Sequence, residues 1–142
     1  MKKIVIFMIV ILIIAISIIG VKYYSYKAEY NVTMQKNSEY EQYTNKEITG
    51  LDVATLINKS IDKNTRNKIE KDDQGMFIPN DENSVQIEVY MKDTEITYKM
   101  ETIYNKGTEQ FVQYCGDVKF KCSKIEYHNK TKKISYILFE QI

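Results

Sequence analysis

Cys115 and Cys122 are the two thiols of this 142-residue chain and His128 is its one imidazole, so nucleophilic or metal chemistry has few side chains to work with. The cysteines are separated by six residues. That is neither the C-x-x-C spacing of thiol oxidoreductases nor that of a zinc site, and there is no second pair. Two alternatives stay open for them. One is a disulfide from the end of a helix to the following strand, stabilising by roughly 2 to 3 kcal/mol through loop closure. The other is a pair of reduced, buried thiols. His128 falls in a predicted turn with Lys130, Lys132 and Lys133, where a solvated imidazole is expected. No Gly-x-Ser-x-Gly elbow or comparable nucleophile motif occurs. Asp72 and Asp73, then Asp81 and Glu82, crowd two loops beside Gly75 and Asn80, but without the alternating oxygen ligands and closing Glu of a calcium loop. Such residues ordinarily cap helices and solvate loops. Asn-x-Ser/Thr triplets at Asn31, Asn58 and Asn129 are what chance gives in an Asn-rich chain. The sequence therefore predicts no catalytic residue, no cofactor and no metal, and it identifies no small-molecule substrate.

The elements that would position these residues can be read from periodicity. In "NKEITGLDVATLINKSIDKN", Thr49 and Asp52 form an acidic capping box, and Val53, Leu56, Ile57 and Ile61 repeat on one helical face. Val85, Ile87, Val89 and Met91 alternate with polar residues; after Lys92-Asp93, Ile96, Tyr98 and Met100 alternate again, which predicts a hairpin. Ile103, Tyr104, Gly107, Phe111 and Tyr114 fall at helical spacing, predicting a second helix that stops at Gly116. A second hairpin follows from residues 118–127 and 134–142. Its first strand changes apolar phase near Ser123, which predicts a bulge, and its second is apolar on both faces, as a central strand would be. The expected fold class is α+β: helix, hairpin, helix, hairpin, giving a four-stranded antiparallel sheet with helices on one face.

Ahead of this lies "KKIVIFMIVILIIAISIIGVKYYSY". Residues 4–21 are apolar except for Ser17 and Gly20, roughly 18 residues or about 27 Å of helix, enough to cross a bilayer core. Ala15-Ile16-Ser17 has the form of a signal-peptidase site, but Ile18, Ile19 and Val21 prolong the run past it, so a retained anchor is expected. Tyr23, Tyr24 and Tyr26 suit an interfacial belt, and Lys22 and Lys27 can reach headgroups. Lys2 and Lys3 on one side face Lys22 and Lys27 on the other, a small difference for the positive-inside rule; the expected orientation has the N-terminus in the cytoplasm and the rest of the chain outside. The expected organisation is an anchor over residues 1–21, a helical stalk or flexible tether over 22–46, and an extracytoplasmic domain over 47–142. A type IV pilin would carry Gly before its apolar helix and an early Glu within it; here Gly20 stands at the far end and no Glu is present, so only the architecture is shared.

Net charge is +1, and losing Lys2 and Lys3 with the anchor takes it to −1, which is not a nucleic-acid surface. The polar part is one domain's worth of chain. The segments "ITGLDVATLINKSIDKN", "DENSVQIEVYM" and "FKCSKIEYHNKT" resemble a family of small, single-pass, membrane-anchored proteins of low-GC Gram-positive bacteria. The resemblance spans most of the chain beyond the anchor. It implies an envelope setting and carries over no catalytic residue. The expected function is that of a membrane-tethered, non-catalytic interaction or assembly module with a protein partner at the envelope. The alternatives are a pilin-like structural subunit of a filament or secretion apparatus, and a small enzyme or sensor without a motif.

Overall fold

The computed structural model describes residues 2–142, in which the chain runs α1 (Lys2–Glu41), β1 (Ile48–Thr49), α2 (Gly50–Arg66), β2 (Gln86–Met91), β3 (Ile96–Lys99), α3 (Met100–Lys106), α4 (Thr108–Cys115), β4 (Lys119–Tyr127) and β5 (Ile134–Gln141). Contacts divide it into two units, Met1–Gln35 and Lys36–Ile142. The first is helical throughout its described residues. Its most apolar 18-residue window has a mean hydropathy of 3.5 with none of it buried, so the helix is long and apolar enough to cross a membrane. Ser17 lies within that apolar run and donates its hydroxyl to the Ile13 carbonyl at 2.8 Å, which leaves no free polar group on its side chain's donor end.

The second unit is α+β. Its α2 starts at a reciprocal cap: the Thr49 hydroxyl accepts the Asp52 N–H at 3.3 Å, and the Asp52 carboxylate accepts the Thr49 N–H at 2.9 Å. Val53, Leu56, Ile57 and Ile61 then face one way and are buried, with Val85 just before β2, Ile87 and Val89 of β2, and Ile137 and Phe139 of β5 in the same core. Alternation sets this register. Ile87 pairs with Ile137 and Val89 with Phe139, so the apolar residues of neighbouring strands share the helix-covered face.

The sheet has five strands in the order β1-β4-β5-β2-β3, not the four expected. The extra strand is the two-residue β1, which pairs Ile48 with Phe120 and Thr49 with Lys119 just before α2 begins. Nor is the sheet wholly antiparallel. Each predicted hairpin forms, but β5 lies beside β2 and runs parallel to it. The crossover through β3, α3, α4 and β4 is long enough to permit this. The phase change in β4 is a bulge at Ser123, where the register shifts between Cys122 and Lys124, and β5 is the middle strand. The single helix expected around Ile103 to Tyr114 is two helices. Gly107 adopts φ 100° between them, a conformation that only glycine takes without strain. Met100, expected to end β3, instead opens α3 and is fully buried.

Gly50 is where α2 meets the end of α4. Its N–H donates to the Val118 carbonyl at 2.9 Å, and a Cβ at this position would lie 1.9 Å from the Cys115 carbonyl oxygen. Because that neighbour is backbone, relief requires moving a helix. Gly50→Ala is therefore expected to destabilise the unit by about 3 kcal/mol or more in denaturant titration. Gly20→Ala, with nothing within 4 Å of the added carbon, leaves the transition unchanged.

Candidate functional site

The break at Gly107 turns α4 away from the line of α3 and opens a trough beside the β2–β3 hairpin. Met91 and Tyr98 come from the hairpin, Ile103 and Lys106 from α3, and Phe111 and Tyr114 from α4, around a volume of about 330 Å³. Phe111 is anchored from below by Phe120, ring centroids 6.3 Å apart, whereas Tyr114 is 76% exposed at the rim. Among the described residues Lys106 is the one charged side chain lining the trough, and its ammonium sits 6.0 Å from the Tyr98 ring centroid. Strand β3 is the last strand on this side of the sheet, so its outer edge has no strand partner among the described residues.

Cys115 also lines the trough. Burial first, and the charge of Asp93 second, push its thiol pKa up, which keeps it protonated and a poor nucleophile. Cys122 lies on β4, its thiol pushed up by burial against a smaller opposite pull from the Lys124 backbone, and its S–H donates to the Lys124 carbonyl at 3.3 Å. Both are free, half-buried cysteines.

His128 is not the solvated imidazole that its basic neighbours suggested. It is 5% exposed, with Nε2 2.8 Å from the Ser84 carbonyl oxygen. The turn after β4 folds back on itself, with His128 N–H donating to the Lys133 carbonyl at 2.8 Å, so Lys130 and Lys132 are exposed and Lys133 half-buried while the ring turns in. The acidic loops serve as turns. Asp72 accepts the N–H groups of Gln74 and Met76, each at 2.9 Å, and the Asn80 side chain gathers those of Glu82, Asn83 and Ser84. Among the described residues no three His, Cys, Asp or Glu side chains converge as a metal site.

A second, polar hollow of about 490 Å³ lies between the Pro79–Ser84 loop and the β4–β5 turn, with Tyr127 and Tyr136 on its walls. Both phenols are already committed. Tyr136 donates to Glu88 at 2.7 Å and Tyr127 to Glu41 at 3.1 Å. Burial and then Glu88 hold the Tyr136 pKa far above the usual phenol range, so it cannot serve as a proton donor to a ligand near neutral pH.

Two asparagines that periodicity did not single out prove structural. Asn64 is fully buried and spans Val85, donating to its carbonyl at 2.8 Å and accepting its N–H at 2.9 Å. Asn37 does the same at the head of β5, to the Lys132 carbonyl at 2.8 Å and from the Ile134 N–H at 3.0 Å. Each side-chain amide stands in for a strand neighbour where a β-strand starts. Glu101, 2% exposed, accepts the Phe77 N–H at 3.2 Å, and its second oxygen has no hydrogen-bond partner among the described residues.

The trough thus presents apolar walls, an exposed aromatic rim, the Lys106 cation and a thiol held protonated. No family model, curated protein or solved structure matches the chain, and the functional reading rests on its own geometry.

Proposed function

We propose that the protein is a membrane-tethered interaction module of the bacterial cell envelope, anchored through residues 4–21 with its N-terminus in the cytoplasm and the Lys36–Ile142 unit outside. Its partner is a protein, taken up as an extended segment that lays an apolar or aromatic side chain in the trough and sets a carboxylate against Lys106. The observation that carries this reading is the trough itself, whose rim exposes Tyr114 at 76% and whose one lining charge is a cation. A solvent-facing aromatic over an apolar floor is the composition of a binding hot spot, and a monomer gains nothing by leaving it open. The unpaired β3 edge lies alongside, where an extended segment can gain main-chain hydrogen bonds.

The test is co-purification from gently solubilised membranes. A stoichiometric partner protein is expected with the parent chain, and with Lys121→Glu on the opposite side of the sheet order. Tyr114→Arg combined with Lys106→Glu should weaken capture by about thirtyfold or more, the loss of roughly 2 kcal/mol that a central aromatic contact carries. Both altered residues are exposed, so the fold is retained. Unchanged capture by the double variant sinks the proposal. A homopolymer in place of a partner favours the filament subunit instead, and a lone chain holding a metabolite favours an enzyme.

A further inference from the structure

Where the end of α1, the face of α2 and the β4–β5 turn meet, the second unit gathers cations around one aromatic ring. Lys63 places its ammonium 4.9 Å from the Tyr40 ring centroid and Lys59 places its own at 6.0 Å. Tyr40 is itself fully buried and bonded to the Ser60 hydroxyl at 3.2 Å, so the ring is a fixed platform. Asn37 ties the Lys132–Ile134 backbone to α1, which brings Lys133 into the field of Lys63. Lys36 acts on Lys63 from α1, and the charge of Arg66 on α2 acts on the Tyr40 phenol. Among the described residues the carboxylate that acts on Lys63 is Glu39, and it is engaged by Lys59 at 2.9 Å. Half-buried Lys63 has no ion pair among the described residues.

We propose that Lys63 and Lys133, flanked by Lys36, Lys59 and Arg66, form a binding site for a phosphate group. Like charges drawn together from three elements around a fixed ring raise the energy of the empty site, and a divalent oxyanion removes that penalty by accepting hydrogen bonds from several ammoniums at once. The surroundings of Lys63 fit this. Burial, the largest cause, with Lys133, Lys36 and Lys59, brings its pKa down to about 8, against an opposite pull from Glu39. Bound anion favours the charged form, so binding takes up a proton above pH 8, and the contribution of Lys63 to affinity falls as the pH rises past it. Phosphate chemistry at an envelope comes either from a lipid headgroup or from a soluble phosphate compound, and the two are separable.

The full chain, isotopically labelled at lysine and held in phosphatidylcholine nanodiscs, is titrated by NMR with and without inorganic pyrophosphate. A Lys63 midpoint that rises by about one pH unit with pyrophosphate supports the site and a soluble source. A midpoint that rises only in nanodiscs containing phosphatidylglycerol supports the site with a headgroup source. Lys63→Gln and Lys133→Gln should each weaken binding of the effective anion about tenfold, while Lys121→Gln on β4 leaves it unchanged. Lys63→Gln should also melt no lower than the parent, because it relieves repulsion; a purely structural lysine on Tyr40 would be missed in the melt. A midpoint unmoved by either anion, or an equal loss with Lys121→Gln, overturns the proposal.

Discussion

Ile87→Lys unfolds the Lys36–Ile142 unit, lowering its stability by at least about 4 kcal/mol, while Glu88→Gln one position along costs less than about 1.5 kcal/mol. The two side chains leave β2 in opposite directions. Ile87 is fully buried, paired with Ile137 of β5 in the centre of the sheet, so a lysine there has neither water nor a carboxylate to meet its charge. Loss of the whole of a small domain's stability is the natural outcome. Glu88 is half-buried on the other face and accepts the Tyr136 hydroxyl at 2.7 Å. Glutamine keeps the acceptor and loses only its charge. Chemical denaturation of both variants decides the register: equal shifts would mean that the alternation from Val85 to Met91 does not mark the buried face.

Asn64→Leu is expected to cost about 2 to 5 kcal/mol, although it replaces a polar core residue with an apolar one of similar volume. Asn64 supplies both hydrogen bonds of Val85, a residue fully buried just before β2, and leucine strands that N–H and that carbonyl without water. Asn64→Asp separates the two contributions. Its carboxylate still accepts the Val85 N–H but confronts the Val85 carbonyl, which asparagine approaches at 2.8 Å. Burial and that carbonyl raise the aspartate's folded-state pKa above its unfolded value. Stability is then regained when the acid is protonated and lost as the pH rises through the folded pKa. Thermal melts of the aspartate variant should approach the parent's near pH 4 and fall away toward pH 7. A pH-independent deficit would assign the role of Asn64 to packing alone.

The parts of this fold that were legible in the sequence are those governed by local rules. The cap at Thr49 and Asp52, the amphipathic stripe of α2, both hairpins and the bulge at Ser123 each follow from a few neighbouring residues. The pairing of β2 with β5 was not legible, because alternation states which face of a strand is buried and is silent on which strands meet or in which sense. Two residues are too few for β1 to show a period. Gly107 sat within helical spacing and was absorbed into it, since apolar residues on either side of a kink keep nearly the same phase. His128 shows the limit for single residues: composition around it is basic, and a backbone hydrogen bond across the turn decides that the ring faces inward. The trough depends on that same Gly107 kink, which explains why the sequence offered its aromatics only as helix-face residues.

The most direct measurement of the central claim is site-specific photocrosslinking in intact cells, with benzoylphenylalanine placed at Tyr114 on the rim of the trough or at exposed Thr55 on α2. A single adduct with one other protein, formed from position 114 and absent from position 55, is the predicted result. A ladder of adducts of the chain with itself, or equal adducts from both positions, would contradict recognition of a protein segment by this trough.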